Sequence, residues 1–105
     1  MAWIKACLTS AIGEEEVIRF DYGAQTFAIY RGIDDDYHAT DGLCTHEKVH
    51  LCDGFVMDGI IECPKHNGRF DFITGQAKGA PVSINLKTYP VKVEDGVVFV
   101  DIQAI

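Results

Sequence analysis

A chain of 105 residues suits one domain, and 48% hydrophobic residues can fill a modest core. The formal charge of −7, from 16 acidic and 9 basic residues, argues against nucleic acid as a partner, because phosphate binding needs clustered Lys and Arg. No run approaches the roughly eighteen apolar residues of a membrane span, and Met1-Ala2-Trp3-Ile4-Lys5 lacks the basic-then-apolar pattern of a signal peptide, so a cytoplasmic chain with no membrane partner is expected.

Helical periodicity is nearly absent, and short β-type segments recur between turn signals. Trp3 to Leu8 reads as the first strand. Thr9-Ser10 then offers a cap for a single helical turn through Ala11 and Ile12, ended by Gly13. Val17 to Tyr22 and Thr26 to Tyr30 form a hairpin across Tyr22-Gly23-Ala24-Gln25, and Tyr37 to Thr40 follows a polar loop at Gly32 to Asp36. A first functional loop runs from Asp41 to Gly54. Phe55 to Met57 and Ile60 to Glu62 flank Asp58-Gly59, a strong two-residue hairpin signal. A second loop, Cys63 to Gly68, leads into Arg69-Phe70-Asp71, a turn at Thr74-Gly75 and a loop at Lys78 to Pro81. Leu86 to Glu94 and Val97 to Ile102 close the chain as a hairpin across Asp95-Gly96, with Val91, Val93, Val98 and Val100 in alternation. The expected fold is all-β, a small antiparallel β-sandwich or barrel in one domain spanning 1–105.

The two loops carry the chemistry. Cys44-x-His46 and Cys63-x-x-His66, with sixteen residues between them, each bring one thiolate and one imidazole to a loop. They sit at either end of one hairpin and can therefore meet. Two sulfurs and two nitrogens suit a tetrahedral zinc ion, or a 2Fe-2S cluster with thiolates on one iron and imidazoles on the other. Spacing alone does not separate these. In a reducing cytosol, clustered Cys and His point to metal before disulfides, and Cys7 and Cys52 have no partner pattern. His46-Glu47-Lys48-Val49-His50 also matches the His-Glu-x-x-His pattern of zinc proteases, but that chemistry needs a helix to put both rings on one face. No amphipathic helix is available here, so His50 reads as a loop residue, and His38 and Cys7 as structural.

Cys44-Thr45-His46, then Cys63-Pro64-Lys65-His66-Asn67-Gly68 with Phe70-Asp71 beyond, resembles the Rieske ferredoxin family. Gly42-Leu43, Asp53-Gly54, Thr74-Gly75, Gly79-Ala80-Pro81 and Tyr89-Pro90-Val91 extend the likeness over nearly the whole chain. The resemblance implies a Rieske fold with a cluster-binding subdomain, its loops within 42–81. It implies one 2Fe-2S cluster, with Cys44 and Cys63 on the inner iron, His46 and His66 on the outer, and Pro81 in a shielding loop. It further implies a non-enzymatic electron carrier of bacterial ring-hydroxylating oxygenase systems. The transient partners would be an NAD(P)H-dependent flavoprotein reductase and a terminal oxygenase, and the carrier a monomer without catalytic residues. The alternative role is a permanent small subunit of a redox enzyme such as an assimilatory nitrite reductase.

Departures from high-potential members are also readable. Two bridging cysteines of those proteins correspond to Val49 and Lys65, and a serine and a tyrosine hydroxyl to Gly68 and Phe70. Fewer hydrogen bonds to sulfur disfavour the reduced state, which implies a potential near about −150 mV, the low end of the Rieske range.

Overall fold

The computed structural model describes residues 2–103, and every described element longer than a single turn is a strand. Ten strands follow in chain order: β1 (Trp3–Leu8), β2 (Glu16–Tyr22), β3 (Gln25–Arg31), β4 (Tyr37–Asp41), β5 (Phe55–Met57), β6 (Ile60–Glu62), β7 (Arg69–Asp71), β8 (Thr88–Tyr89), β9 (Val91–Glu94) and β10 (Val97–Asp101). They form three antiparallel sheets, ordered β1-β10-β9, β2-β3-β4-β8 and β5-β6-β7. The hairpin turns fall where the sequence places them. Asp58-Gly59 and Asp95-Gly96 take φ of 52°, 80°, 51° and 74°, the paired left-handed geometry that Asp-Gly adopts most cheaply. Their flanks pair as Met57↔Ile60 and Glu94↔Val97.

Strand β3 is the spine. Its side chains alternate between two cores, because successive residues of a strand point to opposite faces. Phe27 and Ile29 join Ile12, Ala39, Tyr89, Val98 and Val100 in one cluster. Ala28 and Tyr30 face the other, with Leu51, Val56, Ile61, Phe70, Phe72, Val82, Leu86 and the two cysteines Cys44 and Cys63. Tyr30 stacks on Phe72 at 4.5 Å between ring centroids and bonds the Thr40 hydroxyl at 2.8 Å, so its polar end is satisfied in the core. The loops that contain Cys44 and Cys63 are thus rooted in a core of large apolar side chains, each contributing about 1.5–3 kcal/mol on burial.

The structure corrects two expectations. Leu86 to Glu94 is not one strand. Pro90 divides it, since proline has no N–H for a ladder: Thr88–Tyr89 pair with β4, whereas Val91–Glu94 pair with β10. Thr9 is not a cap but the first residue of a 3₁₀ turn, Thr9–Ala11, and its N–H donates to the Gly96 carbonyl. A second 3₁₀ turn, Leu51–Asp53, has no counterpart in the sequence reading. Among the valines, Val98 and Val100 are buried, while Val93 lies 44% exposed near the end of β9.

Candidate metal centre

Strand β4 delivers the first loop. Leu51 N–H bonds the Gly42 carbonyl at 2.9 Å, Leu43 bridges to His50, and Cys44 N–H bonds the Val49 carbonyl at 3.0 Å. These contacts close the segment on itself and turn Cys44 inward, where it is 2% exposed. His46, two residues on, faces solvent.

The second loop joins β6 to β7. Cys63 N–H bonds the Gly68 carbonyl at 2.6 Å, so the chain must reverse within Pro64 to Asn67. It does so with His66 and Asn67 both left-handed, at φ of 60° and 57°. A non-glycine pair there carries backbone strain of order 1–3 kcal/mol per residue, a cost most often met at functional sites. Cys63 is fully buried, and the His66 side chain is 57% exposed.

The structure brings all four sequence-selected residues together, as two pairs. Cys44 and Cys63 are both buried in one apolar cluster. The His46 and His66 rings meet edge to face, with centroids 5.5 Å apart. Among the described residues, no three Cys, His, Asp or Glu side chains converge on a point that would hold a single ion. The four donors stand as a buried cysteine pair and an exposed imidazole pair.

Electrostatics also fit a cationic occupant. Burial pushes the Cys63 thiol up to about 11, the Lys65 backbone N–H opposes this, and the adjacent Cys44 adds to the rise. A metal ion removes the problem, because a coordinated thiol loses its proton outright. Lys65 N–H already points at the Cys63 sulfur, at 3.5 Å. Glu47 Oε1 lies 3.5 Å from the outer ring nitrogen Nε2 of His66.

A third segment completes the site, and sequence reasoning identified it only in part. Pro81, expected in a shielding loop, is exposed; the buried residue is its neighbour Val82. A Cβ on Gly68 would stand 2.6 Å from Val82 Cγ1 and 3.8 Å from Cys63 Cβ, so glycine is what lets Val82 close over the cysteine. Thr45 Oγ1 donates to the Ile84 carbonyl at 2.7 Å and ties this segment to the first loop across 39 residues. No local signal could have paired these residues.

The remaining candidates lie elsewhere. Residues 46–50 are not helical, which removes the protease geometry, and His50 Nδ1 is buried with no partner among the described residues. His38 Nε2 bonds Asp36 Oδ2 at 2.6 Å beneath the Phe72 ring, a structural role. Cys7 packs against the β1-β10 side of the core, and Cys52 is half-buried in the second 3₁₀ turn. Burial raises the pKa of both thiols, and Asp53 raises that of Cys52 further.

An all-β chain that closes two Cys/His loops over a shared core has the donor set of an iron–sulfur carrier. The sequence profile of the Rieske [2Fe-2S] domain matches residues 2–90, and the chain belongs to that family. Its cofactor is a Rieske-type 2Fe-2S cluster. The ferredoxin component of the naphthalene 1,2-dioxygenase system of Pseudomonas putida is 43% identical over 100 residues, covering 95% of each chain. The solved ferredoxin of Sphingomonas yanoikuyae B1 superposes with a TM-score of 0.89 at 39% identity, over 95% of this chain and 98% of that one. A chain from a solved complex of reduced oxygenase and oxidized ferredoxin in carbazole 1,9a-dioxygenase follows at 0.87 and 33%, over 93% and 91%.

Proposed function

We propose that this chain works as one domain, residues 1–105, as the ferredoxin of a ring-hydroxylating dioxygenase system. In this reading Cys44 and Cys63 hold one iron of the cluster and His46 and His66 the other. It is an electron-transfer component and not itself a catalyst. The observation that carries the ligand assignment is the sorting of the four side chains: two thiols buried in one cluster, two imidazoles exposed and edge to face.

Bound there, the cluster supplies one-electron transfer near the protein surface. The chain's own residues do the rest. Cys44 and Cys63 anchor from the core side, where Leu51, Val56, Phe70, Val82 and Leu86 exclude water. His46 and His66 present their rings outward and so form the contact face, because electron transfer falls off steeply with distance. The proposed sequence is an NAD(P)H-dependent flavoprotein reductase as donor and a terminal Rieske oxygenase as acceptor, each met in turn by a cytoplasmic monomer. A permanent small subunit of an assimilatory nitrite reductase is the weaker alternative, since the 43% identical relative is a dioxygenase ferredoxin.

The test is reconstitution. The purified holoprotein should be red-brown, be reduced by NADH through a ferredoxin reductase, and be reoxidised by a terminal Rieske oxygenase. Stoichiometric copurification with a large subunit would instead support the alternative.

A further inference from the structure

The distribution of charge around the site runs against that of the molecule. Segments 44–49, 63–68 and 78–85 contain Lys48, Lys65 and Lys78 against Glu47 alone, a net of +2, which leaves −9 on the rest of a chain whose total is −7. All three lysines are exposed. Four of the other six cations, Arg19, Arg31, Arg69 and Lys92, lie within 3.4 Å of a carboxylate oxygen. Among the described residues, none of the three tip lysines does. An oxidised cluster with two thiolates and neutral imidazoles adds no net charge, and reduction adds one negative charge, so the tip stays positive in both states.

We propose that the cluster tip is a cationic docking surface, and that the redox partner it fits presents a net negative face around its electron acceptor. The inference rests on the carrier reading above and adds the sign of the partner's surface. Range decides which charge a partner feels. The molecule is 39 Å long, and the Debye length is about 10 Å at 0.1 M salt and about 3 Å at 1 M. Above 0.1 M, charges farther than about 10 Å from a docked partner are screened, and the lysines flanking the ligands set the sign. They steer approach and register more than they add affinity.

The experiment uses the reduced holoprotein and three named oxidants in stopped flow, between about 0.1 and 1 M salt. Each takes one electron from the reduced cluster: ferricyanide to ferrocyanide, hexaammineruthenium(III) to ruthenium(II), ferric to ferrous cytochrome b5. Rates with anionic ferricyanide and with acidic cytochrome b5 should fall about threefold or more across the range, and the rate with the cationic ruthenium complex should rise. Lys48→Glu with Lys65→Glu should reverse these trends, and Lys5→Glu on β1 should not. The reduced-state EPR spectrum, unchanged in the variants, shows that the site is intact, and the slope of rate against salt is read in place of the absolute rate. A ferricyanide or cytochrome b5 rate that rises with salt, or equal effects of Lys5→Glu and the tip substitutions, overturns the docking inference alone. A protein that shows no reduced-cluster EPR signal overturns the carrier reading instead.

Discussion

Replacement of Gly68 by serine tests how the site sets its potential. Position 68 has no hydroxyl, and the structure shows what stands in the way of one: the new Cβ would lie 2.6 Å from Val82 Cγ1, and Val82 is only 2% exposed. Gly68→Ser alone therefore overpacks a closed corner, at a cost of about 1–3 kcal/mol. Adding Val82→Ala removes the clash, and losing the two methyl groups forfeits about 1.6 kcal/mol of burial, part of it recovered as the serine fills the space. With its Cβ 3.8 Å from Cys63 Cβ, the serine then has a sulfur of the site within reach. A hydrogen bond that favours the reduced state by about 1–2 kcal/mol raises a one-electron potential by about 40–90 mV. Spectroelectrochemical titration should place the wild type near about −150 mV and the double variant higher by that amount. Thermal melts should show the single variant as the least stable of the three. A single variant as stable as wild type, or a double variant with an unmoved midpoint, would refute the reasoning.

Three further outcomes follow from the surroundings of the site. Thr45→Val deletes the bond to the Ile84 carbonyl, so stability should drop by about 1 kcal/mol and chelators should strip the iron faster; an unchanged loss rate would show that this bond does not hold the covering segment. Cys7 and Cys52 both have raised pKa values from burial, so iodoacetamide at pH 7 should label the holoprotein more slowly than free glutathione, and rapid labelling of Cys52 would contradict the packing. Backbone N–H groups of Ala2 and Gln103 hold the Asp101 carboxyl below the usual range. A depressed carboxylate stabilises the fold above its unfolded pKa of about 3.9 and loses that contribution as pH falls through the folded value. The advantage of wild type over Asp101→Asn in melting temperature should thus be constant above about pH 5 and shrink in acid.

Much of the architecture was legible because its determinants are local. Asp58-Gly59 and Asp95-Gly96 specify their turns within two residues, and the Cys/His spacings name a donor set that the flanking residues narrow to a family. What stayed hidden depends on partners far along the chain. Leu86 to Glu94 reads as one strand straight through Pro90, and only the assembled sheets show that proline passing the chain from β4 to β10. The glycine at position 68 was visible in the sequence, but its packing reason, Val82, stands fourteen positions away. The Thr45–Ile84 bond spans 39 residues, and Glu15 Oε1 accepts the Asp58 N–H at 2.9 Å across 43. Periodicity carries no information about contacts of that range.

The ligand assignment is the centre of the account, and pulsed EPR of the reduced protein grown with ¹⁵N-histidine tests it most directly. The expected spectrum shows two imidazole nitrogens coupled to the cluster, with that coupling disrupted in His46→Ala and His66→Ala and unchanged in His38→Ala and His50→Ala. A reduced cluster without nitrogen coupling, or one whose nitrogens survive loss of His46 and His66, would contradict it.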